Sequence, residues 1–236
     1  MSDMGAPTYV MSAIPLATTR FPDLFESGHD SIMVWLERPG AFRRSGWDLA
    51  TGDQARIVGG QYLEVASGSE KLIHLYEDGT LLLKAAADSF LAWPLDPEEF
   101  KQRPRLNTLG IIELTAAFVH FYKRLIPRLQ RDPGRVRFRI EMVDASVEGK
   151  KLYVVPYPVR SFGWQSQWDD EKYPIAEDHM RKDVEATTNE VQQDPDHVAY
   201  RLVERLFLFF GVPIDMIPYV KQEEVKRIDV ASFSRQ

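Results

Sequence analysis

Arginines close to an indole form the first pattern with chemical content. In the stretch RRSGWDL (43–49), Arg43 and Arg44 precede Trp47 around a glycine. Guanidinium groups suit phosphate or carboxylate, and an indole offers a stacking surface, so the three residues are a candidate phosphate-and-base contact. The competing reading makes Trp47 an anchor that seats a loop on the core, and the anchor is favoured. A second basic set is Arg135, Arg137 and Arg139 in RVRFRIEM (135–142), where Val136, Phe138, Ile140 and Met142 take the alternate positions. Period-two alternation puts the three cations in a row on one face of a strand, a stripe suited to phosphates or an acidic protein. The favoured reading is that the row pairs with acids inside the fold, and a plain solvated face is the third.

Aromatic residues concentrate in YPVRSFGWQSQWDDEKYP (157–174), where Trp164 and Trp168 stand four residues apart ahead of Asp169, Asp170 and Glu171. The two indoles are candidates for a ligand clamp, but a lid over the sheet edge is the favoured reading. Asp144, Glu148 and Lys150 are arranged like the D…E-x-K set of metal-dependent nucleases, in which two carboxylates hold a divalent ion. All three fall in one short turn, so a solvated turn is the better reading. No two of the five histidines (29, 74, 120, 179, 197) have helical i, i+3 or i+4 spacing. A metal on His179 or His197 with the preceding Asp178 or Asp196 is disfavoured, and no metal and no cofactor are expected.

Neither a Walker loop, a G-x-G-x-x-G, an H-E-x-x-H, a G-x-S-x-G nor an EF-hand loop occurs. The chain has no cysteine, which excludes disulfides, thiolate metal sites and a cysteine nucleophile, and fits a cytoplasmic protein. Its 236 residues are 44% hydrophobic and 27% charged, enough for a sizeable core. The start of the chain lacks the pattern of a signal peptide, and the apolar run LFLFFGV (206–212) is too short to span a membrane.

The elements that must position these residues are read from periodicity and turn chemistry. Short strands are expected at 9–16, 31–37 and 61–67, and one or two helical turns at 21–27. Residues 71–88 form a hairpin around Glu77, Asp78 and Gly79, since Asp-Gly supplies the positive φ of a tight turn. The helix expected over 110–130 keeps Ile111, Leu114, Phe118, Phe121, Leu125 and Leu129 at helical spacing, with Pro127 able to shorten it. The strand 135–142 and residues 151–158 make a second hairpin. Residues 175–193 read as a polar, acidic helix. Asp194 and Pro195 then cap a helix over 196–210 that Gly211 ends. Residues 212–220 are extended, and the polar tail from 221 to 236 is expected to fray.

The fold expected is therefore α+β: a mostly antiparallel sheet of hairpins, packed by one long central helix and a C-terminal helix pair. One domain covers 1–236, with the sheet and central helix in 9–158 and the crossover and C-terminal helices in 159–220. Charge is unevenly distributed over this plan. The net charge is -6, which opposes sequence-blind nucleic-acid binding. Yet residues 101–139 hold ten Lys/Arg against two acids, and residues 169–196 hold ten acids against three Lys/Arg.

Four pieces in order carry a resemblance: RRSGWDLATGD, EKLIHLYEDGTLLLKAAAD, LGIIELTAAFVHFYKRLIPRL and RVRFRIEMVDASVEGKKLYV. Over about 43–155 the chain resembles the C-terminal region of bacterial ATP-binding proteins that carry an Alba-like, Schlafen-type DNA-binding domain. It departs from that pattern with Lys150 and Lys151 in place of an arginine, and the DNA-binding domain is not in this sequence. The resemblance implies a sensor, partner-binding or regulatory module in a genome-defence setting, and no activity.

The expectation is a non-enzymatic binding or accessory module, using the basic residues with Trp47 on a protein partner first and a nucleic acid second, without membrane association. One alternative is a metal-dependent hydrolase on the carboxylates of 144–148 or 169–178. Another is a small-molecule sensor with Trp164 and Trp168 in its pocket.

Overall fold

The computed structural model describes residues 7–43, 46–93, 96–156 and 172–235. The chain opens with β1 (Thr8–Pro15) and α1 (Ile32–Glu37), followed by β2 (Arg56–Val58), β3 (Tyr62–Ser67), β4 (Lys71–Tyr76) and β5 (Leu81–Ala86). A short α2 (Pro97–Gln102) leads to the long α3 (Thr108–Leu125), and β6 (Arg135–Val143) follows. Next come a small hairpin of β7 (Ser146–Val147) and β8 (Lys150–Lys151), then β9 (Tyr153–Val154) paired with β10 (Tyr173–Pro174). The chain continues through β11 (Met180–Thr187), α4 (Thr188–Gln193), α5 (Pro195–Phe209), the paired β12 (Val220–Lys221) and β13 (Arg227–Ile228), and a helical turn over Val230–Arg235.

Seven strands make one antiparallel sheet in the order β11-β6-β1-β5-β4-β3-β2. The α+β architecture is thus as expected, but only β2 to β5 are a run of hairpins. Strand β1 lies in the interior, between β5 and β6.

Period-two alternation divides the sheet into two unlike faces. Tyr9, Met11 and Ala13 of β1, Leu81 and Leu83 of β5, and Val136, Phe138 and Ile140 of β6 are buried on one face. Helix α3 lies on that face: the Tyr9 hydroxyl meets Thr115 Oγ1 at 2.9 Å, and the Tyr122 ring packs edge-on against Phe138. Helix α5 packs beside α3 and over β11. Asn107 caps α3 by accepting from the Gly110 amide at 3.0 Å, and Pro127 turns the chain into a short 3-10 segment after Leu125. Asp194 caps α5, with Pro195 in its first turn.

Several local expectations are corrected. Residues 31–37 are a helix rather than a strand. Ser31 accepts from the Val34 amide at 3.3 Å, Trp35 donates to Asp30 at 2.9 Å, and Ile32 and Leu36 bury the i, i+4 face. A short apolar run is ambiguous in period, and the serine cap decides it. Residues 175–193 are not one acidic helix: β11 fills 180–187, and only Thr188–Gln193 is helical, opened by a Thr187/Glu190 capping box. Residues 151–156 do not pair with β6, because β11 and β1 occupy both of its edges, and 157 and 158 lie outside the described residues. The tail is packed rather than frayed: Ile228 and Phe233 are fully buried, and the Phe233 ring meets Phe42 and Tyr219.

The helical reading of 31–37 has a direct consequence. Ser31→Ala removes the cap and costs about 1 kcal/mol, a fall of about 2–4 °C in Tm for a chain of this size. A differential scanning calorimetry trace identical to the parent protein's would contradict the cap.

Candidate binding face

The loop that holds Arg43 and Trp47 lies against α3. Glu113, at the middle of that helix, is 1% exposed, and a carboxylate in such a place needs charge and hydrogen bonds. Arg43 supplies both, donating from Nε and Nη2 to the two oxygens at 2.9–3.1 Å. The Trp47 ring lies over the α3 backbone, 3.0 Å from where a Cβ on Gly110 would stand, and its Nε1 donates to the Phe90 carbonyl at 2.9 Å. A side chain at Gly46 would meet the Glu113 carboxylate, so the glycine permits the approach. Lys71 adds a clasp, donating to the carbonyls of Asp48 and Ala50 with its ammonium 4.5 Å from the Phe90 ring. Burial holds the Lys71 pKa below the usual lysine range, against the pull of Asp48. Arg43 and Trp47 are therefore loop anchors, which removes them from the partner-contact set. Arg44, Trp164 and Trp168 lie outside the described residues.

The arginine row of β6 is on the sheet face turned away from α3. It is matched there by β11, whose register sets Glu185 opposite Arg137 and Asp183 opposite Arg139. Arg139 donates to both Asp183 oxygens at 2.8 and 3.0 Å, and Arg137 donates to Glu185 at 3.1 Å. Arg135 also reaches Glu185, at 2.9 Å, and Arg181 lies 3.7 Å from Glu141. The Arg139 bonds hold the Asp183 carboxyl below the usual range. The row is thus an alternating ladder of both signs rather than a purely cationic stripe. The basic and acidic segments do meet within the fold.

Across the other strands this same face continues without a covering helix among the described residues. One row runs Arg56, Glu64, His74, Leu82, Ser12, Arg139 and Asp183, from edge to edge. The neighbouring row runs Ala66, Leu72, Lys84, Val10, Glu141 and Arg181. Leu72, Leu82, Val10 and Ile14 are partly exposed and stand outside the hydrophobic core. They form an apolar strip between two polar flanks. Around the face, six cations (Arg56, Lys84, Arg135, Arg137, Arg139, Arg181) stand against four carboxylates (Glu64, Glu141, Asp183, Glu185). That balance is the reverse of the chain's net -6.

The flank over β2 to β4 is a connected chain of polar groups. Arg56 Nε donates to Glu64 Oε1 at 2.7 Å, His74 Nε2 meets Glu64 Oε2 at 2.8 Å, and His74 Nδ1 meets the Tyr76 hydroxyl at 3.3 Å. Tyr62 packs on both His74 and Tyr76, with ring centroids 4.6 and 5.0 Å away. Burial pushes the His74 pKa below the ordinary imidazole value, although Glu64 pulls the other way. Burial also opposes the Glu64 charge, but hydrogen bonds from Arg56 and His74 outweigh it and hold the carboxyl below its usual range. At neutral pH the set is therefore a guanidinium, a carboxylate, a neutral imidazole and a phenol. This flank was not singled out from sequence. The available signal was polar residues at alternate positions within apolar strands, Glu64 in YLEVAS and His74 in KLIHLY.

Other candidates do not assemble. Asp144 and Glu148 are exposed turn residues with positive φ (53° and 49°), and Lys150 donates to the Lys101 carbonyl. Asp169, Asp170 and Glu171 lie outside the described residues, while Glu177 and Asp178 are exposed. Among the described residues no group of three or more His, Asp or Glu could hold a metal ion, and no helix is long and apolar enough to cross a membrane. Comparison with known proteins gives no matching family model, no matching curated protein and no matching solved structure. The resemblance over 43–155 gains no support from them.

The loop-anchor assignment is tested by Arg43→Ala, which leaves the Glu113 carboxylate buried without its partner. The loss expected is about 3–5 kcal/mol, read as a lower urea midpoint, and adding Glu113→Leu recovers part of it. A urea midpoint unchanged by Arg43→Ala would return Arg43 to the set of partner contacts.

Proposed function

We propose that the chain is a non-catalytic binding module that docks a protein partner on the open face of its sheet. The observation that carries this reading is the apolar strip Val10, Ile14, Leu72 and Leu82, set on a face with no covering helix among the described residues. Seven strands about 4.8 Å apart make a surface roughly 30 Å across, and six-residue strands give it a length of roughly 20 Å. The resulting area, on the order of 600 Å², approaches the ~800 Å² that each partner contributes to a standard interface.

The flanks favour a protein over a nucleic acid. Glu141, Asp183 and Glu185 already neutralise the arginine row, and a phosphate backbone brought there would meet them as like charges. A protein surface with an apolar centre and charges of both signs on its margin fits the alternating ladder on one flank and Lys84 beside the strip. The cysteine-free sequence supports a cytoplasmic setting, and a bacterial defence system enters the proposal through the resemblance over 43–155 alone.

The test compares Leu82→Arg with Leu208→Arg, which alters an exposed leucine on the helix layer. Each variant is used to capture material from native cells, and a captured protein is then purified and titrated directly. Leu82→Arg is expected to weaken binding at least tenfold, about 1.4 kcal/mol, while Leu208→Arg leaves it unchanged and both retain the parent Tm within a few degrees. Equal binding by the Leu82 variant, or capture abolished by nuclease, would overturn the proposal.

A further inference from the structure

We infer that Tyr76, His74, Glu64 and Arg56 form a proton-operated switch that sets the charge and hydrogen-bond polarity of the open sheet face. The inference rests on that face being the docking surface. Its geometry is a single file of groups: hydroxyl to Nδ1 at 3.3 Å, Nε2 to carboxylate at 2.8 Å, carboxylate to guanidinium at 2.7 Å. An ionised carboxylate only accepts, so the Nε2 position must carry a proton. In the neutral imidazole Nδ1 is then an acceptor, and the Tyr76 hydroxyl donates to it. A proton added at Nδ1 reverses this last bond. The hydroxyl oxygen becomes the acceptor, and its own hydrogen turns outward, where a docked group can take it.

The charge of the flank changes in the same step. Facing His74 are Glu64 and Tyr62 from β3, Arg56 from β2 and Lys84 from β5, with Tyr76 on its own strand and Asp78 in the turn beyond it. Arg56 and Lys84 oppose a further positive charge and Glu64 favours it, while burial opposes it most. Glu64 stays ionised because Arg56 holds it, so the imidazolium adds a third cation against one carboxylate. A carboxylate-bearing partner is held more tightly once that cation is present.

The pH window follows from the direction of the shift. His74 takes up its proton in the folded chain at a pH below the ordinary value of 6.5, whereas the unfolded chain takes it up near that value. Its contribution to stability is therefore complete above pH 6.5 and is lost as the pH falls through the folded-state value.

Proton NMR of the His74 Cε1–H resonance in the whole chain tests the switch without any partner. The titration midpoint is expected below that of a short peptide carrying His74. Tyr76→Phe removes both the neutral bond to the unprotonated ring and the stronger, charge-assisted bond that the imidazolium would donate, so it should lower the midpoint; Glu64→Gln, which removes the carboxylate, should lower it as well. His74→Asn should lose less Tm than the parent between pH 7.5 and 5.5. If Glu64→Gln fails to fold, Tyr76→Phe decides. A His74 midpoint at or above the peptide's, or one that Tyr76→Phe does not move, would overturn the switch. Failure of Leu82→Arg to weaken docking would instead overturn the reading of the face.

Discussion

A long helix buried on nearly every side controls how the rest of the chain is distributed. Fifteen of the eighteen residues of α3 are buried, including the carboxylate of Glu113. A helix of that kind cannot lie on a sheet with its back to water; it must be covered all round. The sheet covers one side and α5 another. Arg43 and residues 46–50 cover a third, through the Arg43–Glu113 pair, the Trp47 ring on Gly110 and the Lys71 clasp on Asp48 and Ala50. The C-terminal turn closes the remaining ground through Phe233 and Phe42. Every one of these coverings lies on one side of the sheet.

The other side follows from that distribution. With loop, helices and tail gathered around α3, the described residues leave the second sheet face without a covering helix, its central side chains partly exposed. Its residues are accordingly of mixed character: small or aliphatic at the centre, paired charges at the flanks. The pairing of both signs also serves the outer strand. Strand β11 is eight residues long and lies at the edge of the sheet, where unpaired backbone invites further strands. Arg181, Lys182, Asp183 and Glu185 make it a poor template for aggregation. Lys182 departs from the alternation by sitting on the helix face, and its ammonium lies 5.8 Å from the Phe209 ring.

What was legible in the sequence were the elements whose own residues specify them. The β4–β5 hairpin carries its Asp-Gly turn, β6 its strict alternation, and α5 its Asp-Pro start. Elements set by distant partners were misread. β11 looks helical in isolation because its acids recur without an apolar period; only its register against β6 shows that Asp183 and Glu185 repeat at the two-residue spacing of Arg139 and Arg137. The site was legible only in part: the anchor reading of Trp47 was available from the sequence, but its partners were not. The role of Arg43 is set by Glu113, seventy residues away in sequence and buried beside it, which no local pattern displays. The polar flank of Glu64, His74 and Tyr76 is dispersed over two strands, and no single stretch displays it.

The claim on which the account turns is that the second sheet face is open to solvent in the free chain. Hydroxyl-radical footprinting of the monomeric protein measures this residue by residue. Leu72, Leu82 and Tyr76 are expected to react at rates between those of the exposed Leu16 and Ile57 and those of Leu75 and Leu83, which lie on the same strands but face α3 and stay protected. Leu72 and Leu82 as protected as Leu75 and Leu83 would contradict the claim, since both faces of the sheet would then be buried.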